Sequence, residues 1–193
     1  MIQLPEVVDS SSLAYKAGYK TICEIGKERI RRAGKQILAS KKNEDNGLFA
    51  GAEDNHKLDI GFRVLKLDSS NMENVFYSPD QLQPANLFTL EDNVKQDRTS
   101  VDLLFQVMLE LGIELSSTIE RKEINGVETF VVKDGFLIAT FDKDVNESTI
   151  TEIAKQEPVY FVMRDASAAN DNVLDNFDQL FKHYSPDTIR RIL

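Results

Sequence analysis

The sequence predicts an α/β fold built on a mixed sheet, and two kinds of signal support that prediction. In the C-terminal half, short apolar runs alternate with amphipathic stretches, as in strands joined by crossover helices. The turn sequences Asn125-Gly126 and Lys133-Asp134-Gly135 also indicate antiparallel connections between neighbouring strands. We therefore expect a three-stranded β-meander that continues into βαβαβ crossovers.

The N-terminal segment is predicted to form a strand over Ile2–Glu6 and then a long helix over Tyr19–Leu38. At helical pitch, one stripe holds the apolar residues Ile22, Ile25, Ile30, Ala33 and Ile37, and the opposite face holds Lys20, Lys27, Arg31 and Lys35. One face of this helix is therefore predicted to be core, and the other cationic.

Charge is segregated along the chain. Between Leu13 and Lys42 there are nine Lys or Arg and two Glu, a balance of +7, which leaves −16 for the rest of a chain whose net charge is −9. The cationic face of the predicted helix is of a kind that is commonly solvated, and here Glu24 and Glu28 would stabilise it as i,i+3 and i,i+4 partners of the cations. The alternative is a surface that contacts phosphates or another subunit. The candidate contact residues are Lys27, Arg31, Arg32 and Lys35.

Composition predicts three regions: residues 1–43, a connector over 44–98, and an α/β domain over 99–193. Polar connectors are expected at Lys41–Lys57 and Gln81–Arg98, with a strand at Leu58–Asp68 between them. Thr99-Ser100-Val101-Asp102 is predicted to cap a helix that Gly112 ends.

The remaining elements follow from apolar periodicity and turn residues. The predicted strands are Ser116–Ile124, Val127–Val132, Phe136–Phe141, Val159–Met163 and Thr188–Leu193, and the predicted helices are Asn146–Gln156 and a segment capped by Asn170-Asp171. Polar clusters follow two parallel strands, at Asp142-Lys143-Asp144 and Arg164-Asp165. A ligand would bind at that edge of the sheet, but solvated loops and helix caps explain the same residues.

Several classes of site have no support. Cys23 is the only cysteine, and His56 and His183 have no partner at a ligand spacing, so no metal is expected. Cys23 is predicted to be a half-buried structural thiol. Neither a membrane span nor a signal peptide is present in the sequence, so we expect a cytoplasmic protein.

The segment Ile2–Leu38, a predicted strand ending at an acidic residue and then a helix containing Glu24-Ile25-Gly26-Lys27-Glu28, resembles the end of a known methyltransferase domain. That domain belongs to the modification subunits of type III restriction-modification systems, which are adenine-N6 DNA methyltransferases. The resemblance continues through Asp59–Asn71, Asp102–Gly112 and Tyr184–Thr188. It implies that residues 1–43 are the strand–helix remnant of a Rossmann-like domain.

The resemblance also implies a methyl donor, S-adenosylmethionine, and as partners DNA, a second modification subunit and a restriction subunit. Glu6 is the one cofactor-binding residue it suggests, because the family has an acidic residue there near the donor's ribose hydroxyls. The sequence contains neither the family's Asp-Pro-Pro-Tyr loop nor its Phe-x-Gly-x-Gly loop, and by family order both would precede Met1. We therefore expect no catalytic residue here, and no donor binding or methyl transfer by this chain alone.

Four hypotheses for the function remain. The chain is the C-terminal part of such a methyltransferase, supplying subunit contacts and DNA-backbone support. Alternatively, it is a competent methyltransferase that receives the two loops in trans. A third possibility is an acidic regulatory or DNA-mimic protein, suggested by a pI of about 4.8 but opposed by the +7 helix. The fourth is an unrelated α/β interaction module.

Overall fold

The structure, a computed structural model, describes residues 2–44, 59–73, 93–169 and 171–193. The contacts within the chain divide it into two units, Met1–Leu65 (unit 1) and Lys66–Leu193 (unit 2). Most of both predicted polar connectors, at residues 45–58 and 74–92, lies outside the described residues. Among the helices that are described, none has the length and apolar character needed to cross a membrane.

Unit 1 contains helices α1 (Leu13–Lys16) and α2 (Ile22–Glu44), and unit 2 contains α3 (Ser100–Glu110), α4 (Glu147–Ala154) and α5 (Asp171–Tyr184). The strands of unit 2 are β1 (Ile119–Ile124), β2 (Val127–Val132), β3 (Leu137–Thr140), β4 (Tyr160–Met163) and β5 (Ile189–Ile192). They form one sheet in the order β1-β2-β3-β4-β5. The pairs β1·β2 and β2·β3 are antiparallel, whereas β3·β4 and β4·β5 are parallel. The predicted α/β class, with a meander followed by crossovers, is confirmed.

The two turns of the meander need residues that accept left-handed backbone angles. Asn125 and Gly126 have φ of 51° and 82°, which suits the two-residue turn of a right-twisted hairpin. In the second turn, Lys133, Asp134 and Gly135 have φ of 51°, 55° and 95°. Gly, Asn and Asp tolerate this region better than other residues, which is why these short sequences predicted the turns.

Helices cover both faces of the sheet. Helix α3 packs on one face against buried residues such as Phe130, Leu137 and Val162. Helices α4 and α5 cover the other face, where Phe161 and Ile138 are fully buried. Strand β4 is therefore buried from both sides, as its continuous apolar run predicted.

Helix α3 begins and ends as predicted. The hydroxyl of Thr99 accepts from the Asp102 N–H at 3.4 Å, and the Asp102 carboxylate accepts from the Thr99 N–H at 2.8 Å, which completes a capping box. At the other end, Gly112 adopts φ of 66° and the Ile113 N–H donates to the Met108 carbonyl at 2.8 Å.

Unit 1 has much less regular structure. The predicted helix is present as α2, and α1, which the sequence analysis missed, precedes it. The strand predicted for Ile2–Glu6 is wrong: nearby, there is only an isolated bridge between Val7 and Thr21. The strand predicted for Leu58–Asp68 is also wrong, since its described residues, 59–68, belong to no strand. A strand requires a hydrogen-bonded neighbour, and apolar alternation alone does not supply one.

Candidate functional site

Helix α2 carries all four candidate contact residues, and its start is fixed by a second capping arrangement. The Glu24 carboxylate accepts from the Thr21 N–H at 3.2 Å and from the Lys20 N–H, while the Thr21 hydroxyl accepts from the Glu24 N–H at 3.4 Å. The backbone N–H groups of Lys20 and then Thr21 lower the pKa of Glu24. Glu24 therefore caps the helix rather than mainly pairing with the cations.

Glu28 is the acidic partner of the cationic face. Its carboxylate accepts from Arg32 Nε at 2.8 Å, and its other oxygen lies 3.8 Å from Arg31 Nη1. The hydrogen bond from Arg32 is the main reason why the pKa of Glu28 is lowered, with weaker contributions from the charges of Arg31 and Lys35. Both arginine side chains remain more than half exposed, at 55% and 69%. The predicted i,i+3 and i,i+4 pairs are confirmed for Glu28.

The apolar stripe of α2 is not core in this structure. Ile22, Ile30 and Ile37 are 40%, 39% and 50% exposed, and Ala33 is exposed too. No side chain is buried in the described part of unit 1, residues 2–40 and 59–65. The prediction that this face is core is therefore wrong, because the described part of unit 1 buries none of its residues and leaves only Ile25 half-buried.

The extended segment 59–65 packs instead on the predicted cationic side of α2. A Cβ at Gly34 would come 3.1 Å from the Ile60 Cβ, so the backbone of the helix closely approaches this segment. Beside it, the Arg31 guanidinium lies 5.7 Å from the centroid of the Phe62 ring. Sequence analysis missed these two partners. A glycine within a helical run is the signal that could have indicated a close approach at Gly34.

Glu6 lies beside the start of α2. Its carbonyl accepts from the Ile22 N–H at 3.0 Å, which holds the preceding segment against the helix. The side chain is exposed and does not end a strand. Cys23 is half-buried at the same place, and its thiol donates to the Leu4 carbonyl at 3.4 Å. The predicted structural role of this thiol agrees with that contact.

The two strand-end loops of unit 2 meet, as their positions after parallel strands predicted. The Val145 N–H donates to the Ser167 carbonyl at 2.9 Å. Asp142 Oδ2 accepts from the Glu128 N–H at 2.7 Å, and the Asn146 side chain caps α4. These polar groups serve the backbone, and no group of His, Cys, Asp or Glu that could hold a metal occurs within the described residues.

Helix α2 is therefore the part of the described chain that offers both exposed cations and an uncovered apolar stripe. The cations suit phosphate oxygens, and the stripe suits another protein surface. Two comparisons with known proteins add nothing to this, since neither a protein-family model nor a curated protein matches the chain.

Proposed function

We propose that this chain is the C-terminal part of a type III modification methyltransferase, where it serves subunit assembly and DNA-backbone support. The complete enzyme would transfer a methyl group from S-adenosylmethionine to adenine N6 in DNA. Its partners would be DNA, a second modification subunit and the restriction subunit. The observation that carries the proposal is the uncovered apolar stripe of α2, beside exposed cations, on the helix that resembles the end of this family's catalytic domain.

The stripe supports an assembly role because its exposure is costly. Ile22, Ile30 and Ile37 repeat at helical spacing, so they lie along one side of the helix and are not scattered around it. Each square ångström of apolar surface removed from water contributes about 25 cal/mol. A methyltransferase domain that packed over the stripe would gain that energy and would give α2 the core that unit 1 lacks at residues 2–40 and 59–65.

The cations support a backbone role rather than sequence reading. Phosphate contacts position a protein on DNA, and base contacts specify the sequence. Arg31 and Arg32 share one carboxylate, Glu28, and keep more than half of their surface exposed. Their guanidinium groups therefore retain donors for phosphate oxygens.

The role is proposed to be non-catalytic because the sequence has neither the Asp-Pro-Pro-Tyr loop nor the Phe-x-Gly-x-Gly loop. Backbone must approach the donor closely in such a site, and the glycine loop permits this approach. Glu6 is exposed at the start of α2, where its carboxylate is free to accept from a ribose hydroxyl of the donor in the complete enzyme.

The test is assembly and adenine methylation in the organism that carries the gene. A variant with Ile22→Asp, Ile30→Asp and Ile37→Asp should separate the tagged chain from the second modification subunit and remove N6-methyladenine from one DNA sequence. The matched control is Leu67→Asp with Leu109→Asp, since these exposed residues lie outside the stripe. If the triple variant assembles and methylates as the control does, the proposal is wrong.

A further inference from the structure

Residues 68–73, near the start of unit 2, are held against helix α3 by polar contacts, and we call them the latch. The Asn71 side chain donates from Nδ2 to the Asp102 carbonyl at 3.2 Å and to Gln106 Oε1 at 2.8 Å. The Asn71 carbonyl accepts from the Lys95 N–H at 2.9 Å. One asparagine therefore ties the latch both to α3 and to the segment that precedes this helix.

Two cations of that preceding segment converge on one hydroxyl of the latch. Ser69 Oγ accepts from Lys95 Nζ at 3.0 Å and from Arg98 Nη2 at 2.9 Å. Lys95 Nζ also donates to the Ser70 carbonyl at 2.6 Å. Hydrogen bonds from charged donors are stronger than those between neutral groups. Lys95 and Arg98 therefore supply the strongest contacts that keep the latch in place.

Arg98 also brings a cost to the closed position. Only 11% of its side chain is exposed, and its Nε is shielded from water without a hydrogen-bond partner among the described residues. A shielded donor without an acceptor is unfavourable. The ion pair between Arg98 Nη1 and Asp68 Oδ2, at 3.4 Å, adds little, because the Asp68 side chain is 71% exposed and water screens it. The contacts that favour closure are therefore partly offset at the same residue, and release of the latch gives Nε access to water.

The charges around the latch do not describe a binding site for an anion. Lys95 and Arg98 are accompanied by the carboxylates of Asp68 and Asp97, and the Asp97 carboxylate lies 3.2 Å from Arg98 Nη1. Two positive and two negative groups leave no net charge that would attract a phosphate. The cluster is suited to holding one part of the chain against another.

We propose that the latch opens while the sheet of unit 2 stays folded, and that Lys95 and Arg98 hold it closed. No latch residue belongs to either buried cluster found among the described residues, so opening leaves both clusters intact. Local opening takes place where few apolar contacts are buried. Since unit 1 ends at Leu65, an open latch lengthens the free chain that follows unit 1. The proposal concerns unit 2 alone and does not depend on the role proposed for helix α2.

Hydrogen exchange of the whole chain, read amide by amide, tests local opening. The Lys95 N–H and the Glu73 N–H, which donates to the Asn93 carbonyl at 2.7 Å, report on the latch. The paired amides of β3 report on the sheet. Relative to their intrinsic rates, the two latch amides of the wild-type chain should exchange at least about a hundredfold faster than the β3 amides, because they open without the sheet. Dilute urea should speed exchange in β3 and leave the latch rates unchanged, since local opening exposes little surface.

Two variants test the contacts that hold the latch. Arg98→Gln removes a charged donor and should speed latch exchange at least about tenfold, with less than about threefold change in β3. Ser69→Ala removes the hydroxyl that both cations share, at an exposed position, and should act in the same direction. The matched control is Arg121→Gln in strand β1, since Arg121 contacts Glu128 at 3.6 Å, outside the latch. This control should change latch exchange less than about threefold.

Three results would overturn the proposal. If the latch amides exchange at the β3 rate, the latch opens only when the sheet unfolds. If Arg98→Gln speeds β3 exchange as much as latch exchange, Arg98 belongs to the folded core and not to a separate latch. If Ser69→Ala and Arg121→Gln affect latch exchange equally, the shared hydroxyl does not hold the latch.

Discussion

Helices α2 and α3 begin in the same way but have different surroundings. Thr21 with Glu24 starts α2, and Thr99 with Asp102 starts α3, each pair through reciprocal hydrogen bonds between side chain and backbone. Helix α3 then buries four apolar residues against the sheet. Helix α2 leaves three isoleucines of its stripe 39–50% exposed. Equal local signals therefore start both helices, and only a tertiary partner determines which one contributes to a core.

The same contrast applies to the units that contain these helices. Unit 2 has a buried cluster on each face of its sheet, in which the Phe161 ring stacks on Phe181 with centroids 5.1 Å apart. Unit 1 has no buried side chain at residues 2–40 or 59–65. Without apolar burial, little offsets the conformational entropy of the ordered backbone. We therefore expect unit 2 to determine the stability of the chain and unit 1 to depend on a partner.

The largest expected effect comes from the same substitution in both units. Ile150→Ala in α4 removes a fully buried side chain and should lower the free energy of unfolding by about 2–5 kcal/mol. Ile30→Ala in α2 removes a 39% exposed side chain and should change it by less than about 0.5 kcal/mol. Urea unfolding, followed through the amide signals of β3 for Ile150→Ala and of α2 for Ile30→Ala, measures both. Equal losses would show that unit 1 has a core of its own.

Sequence predicted unit 2 well because its signals are local. The Asn125-Gly126 turn joins two adjacent strands, and Gly112 ends α3 where its periodicity stops. The parallel order of β3, β4 and β5 follows from the helices placed between these strands, because a helix returns the chain to the edge where the previous strand began.

Sequence predicted unit 1 poorly because its outcome depends on what covers each face. Ile22 and Ile37 have the spacing of a core stripe, but periodicity shows only which face can be buried. Segment 59–65 alternates as a strand does, yet it packs near Gly34 and Arg31 without a neighbouring strand among the described residues. A groove between Arg190 of β5 and Phe177 of α5 has no signal in the sequence, since it arises only where this strand and this helix meet in the folded chain.

The next effect concerns DNA and is specific to unit 1. In the assembled enzyme, changing Lys27, Arg31, Arg32 and Lys35 to Gln should flatten the plot of log affinity against log salt by about 0.9 for each phosphate that the helix no longer neutralises. Sequence preference should not change, because phosphate contacts carry no base information.

The matched control for that experiment changes four lysines of unit 2, Lys122, Lys143, Lys155 and Lys182, to Gln. Their removal alters net charge by the same amount and should leave the slope unchanged. Similar slopes for the two variants would mean that α2 contributes only general charge. An unchanged slope with dissociation of a subunit would assign the cations to protein contacts instead.

A smaller effect on stability distinguishes the cap of α3 from the cap of α2. Thr99→Ala should lower the free energy of unfolding of unit 2 by about 1 kcal/mol, the usual loss for a capping hydroxyl. Thr21→Ala removes the equivalent hydroxyl and should reduce the helix content of α2 without moving the urea midpoint of β3. Far-UV circular dichroism and the β3 amide signals, recorded on the same samples, distinguish these outcomes. A shifted β3 midpoint in Thr21→Ala would couple the two units.

The smallest effect is the pH dependence of the same caps. The hydroxyl of Thr99 and then its backbone N–H hold the pKa of Asp102 below its ordinary value. A carboxyl group whose pKa is lower in the folded state stabilises the fold at pH values above its unfolded-state pKa, which is about 3.9 for Asp. That stabilisation is lost as pH falls through the folded-state pKa. The stability difference between wild type and Asp102→Asn should therefore be largest at neutral pH and shrink below about pH 4. Glu24 also has a lowered pKa, but Glu24→Gln should leave the β3 midpoint unchanged at every pH, because no residue of α2 belongs to either buried cluster among the described residues. If the midpoint difference for Glu24→Gln follows pH as that for Asp102→Asn does, the two units unfold together and the contrast between them is wrong.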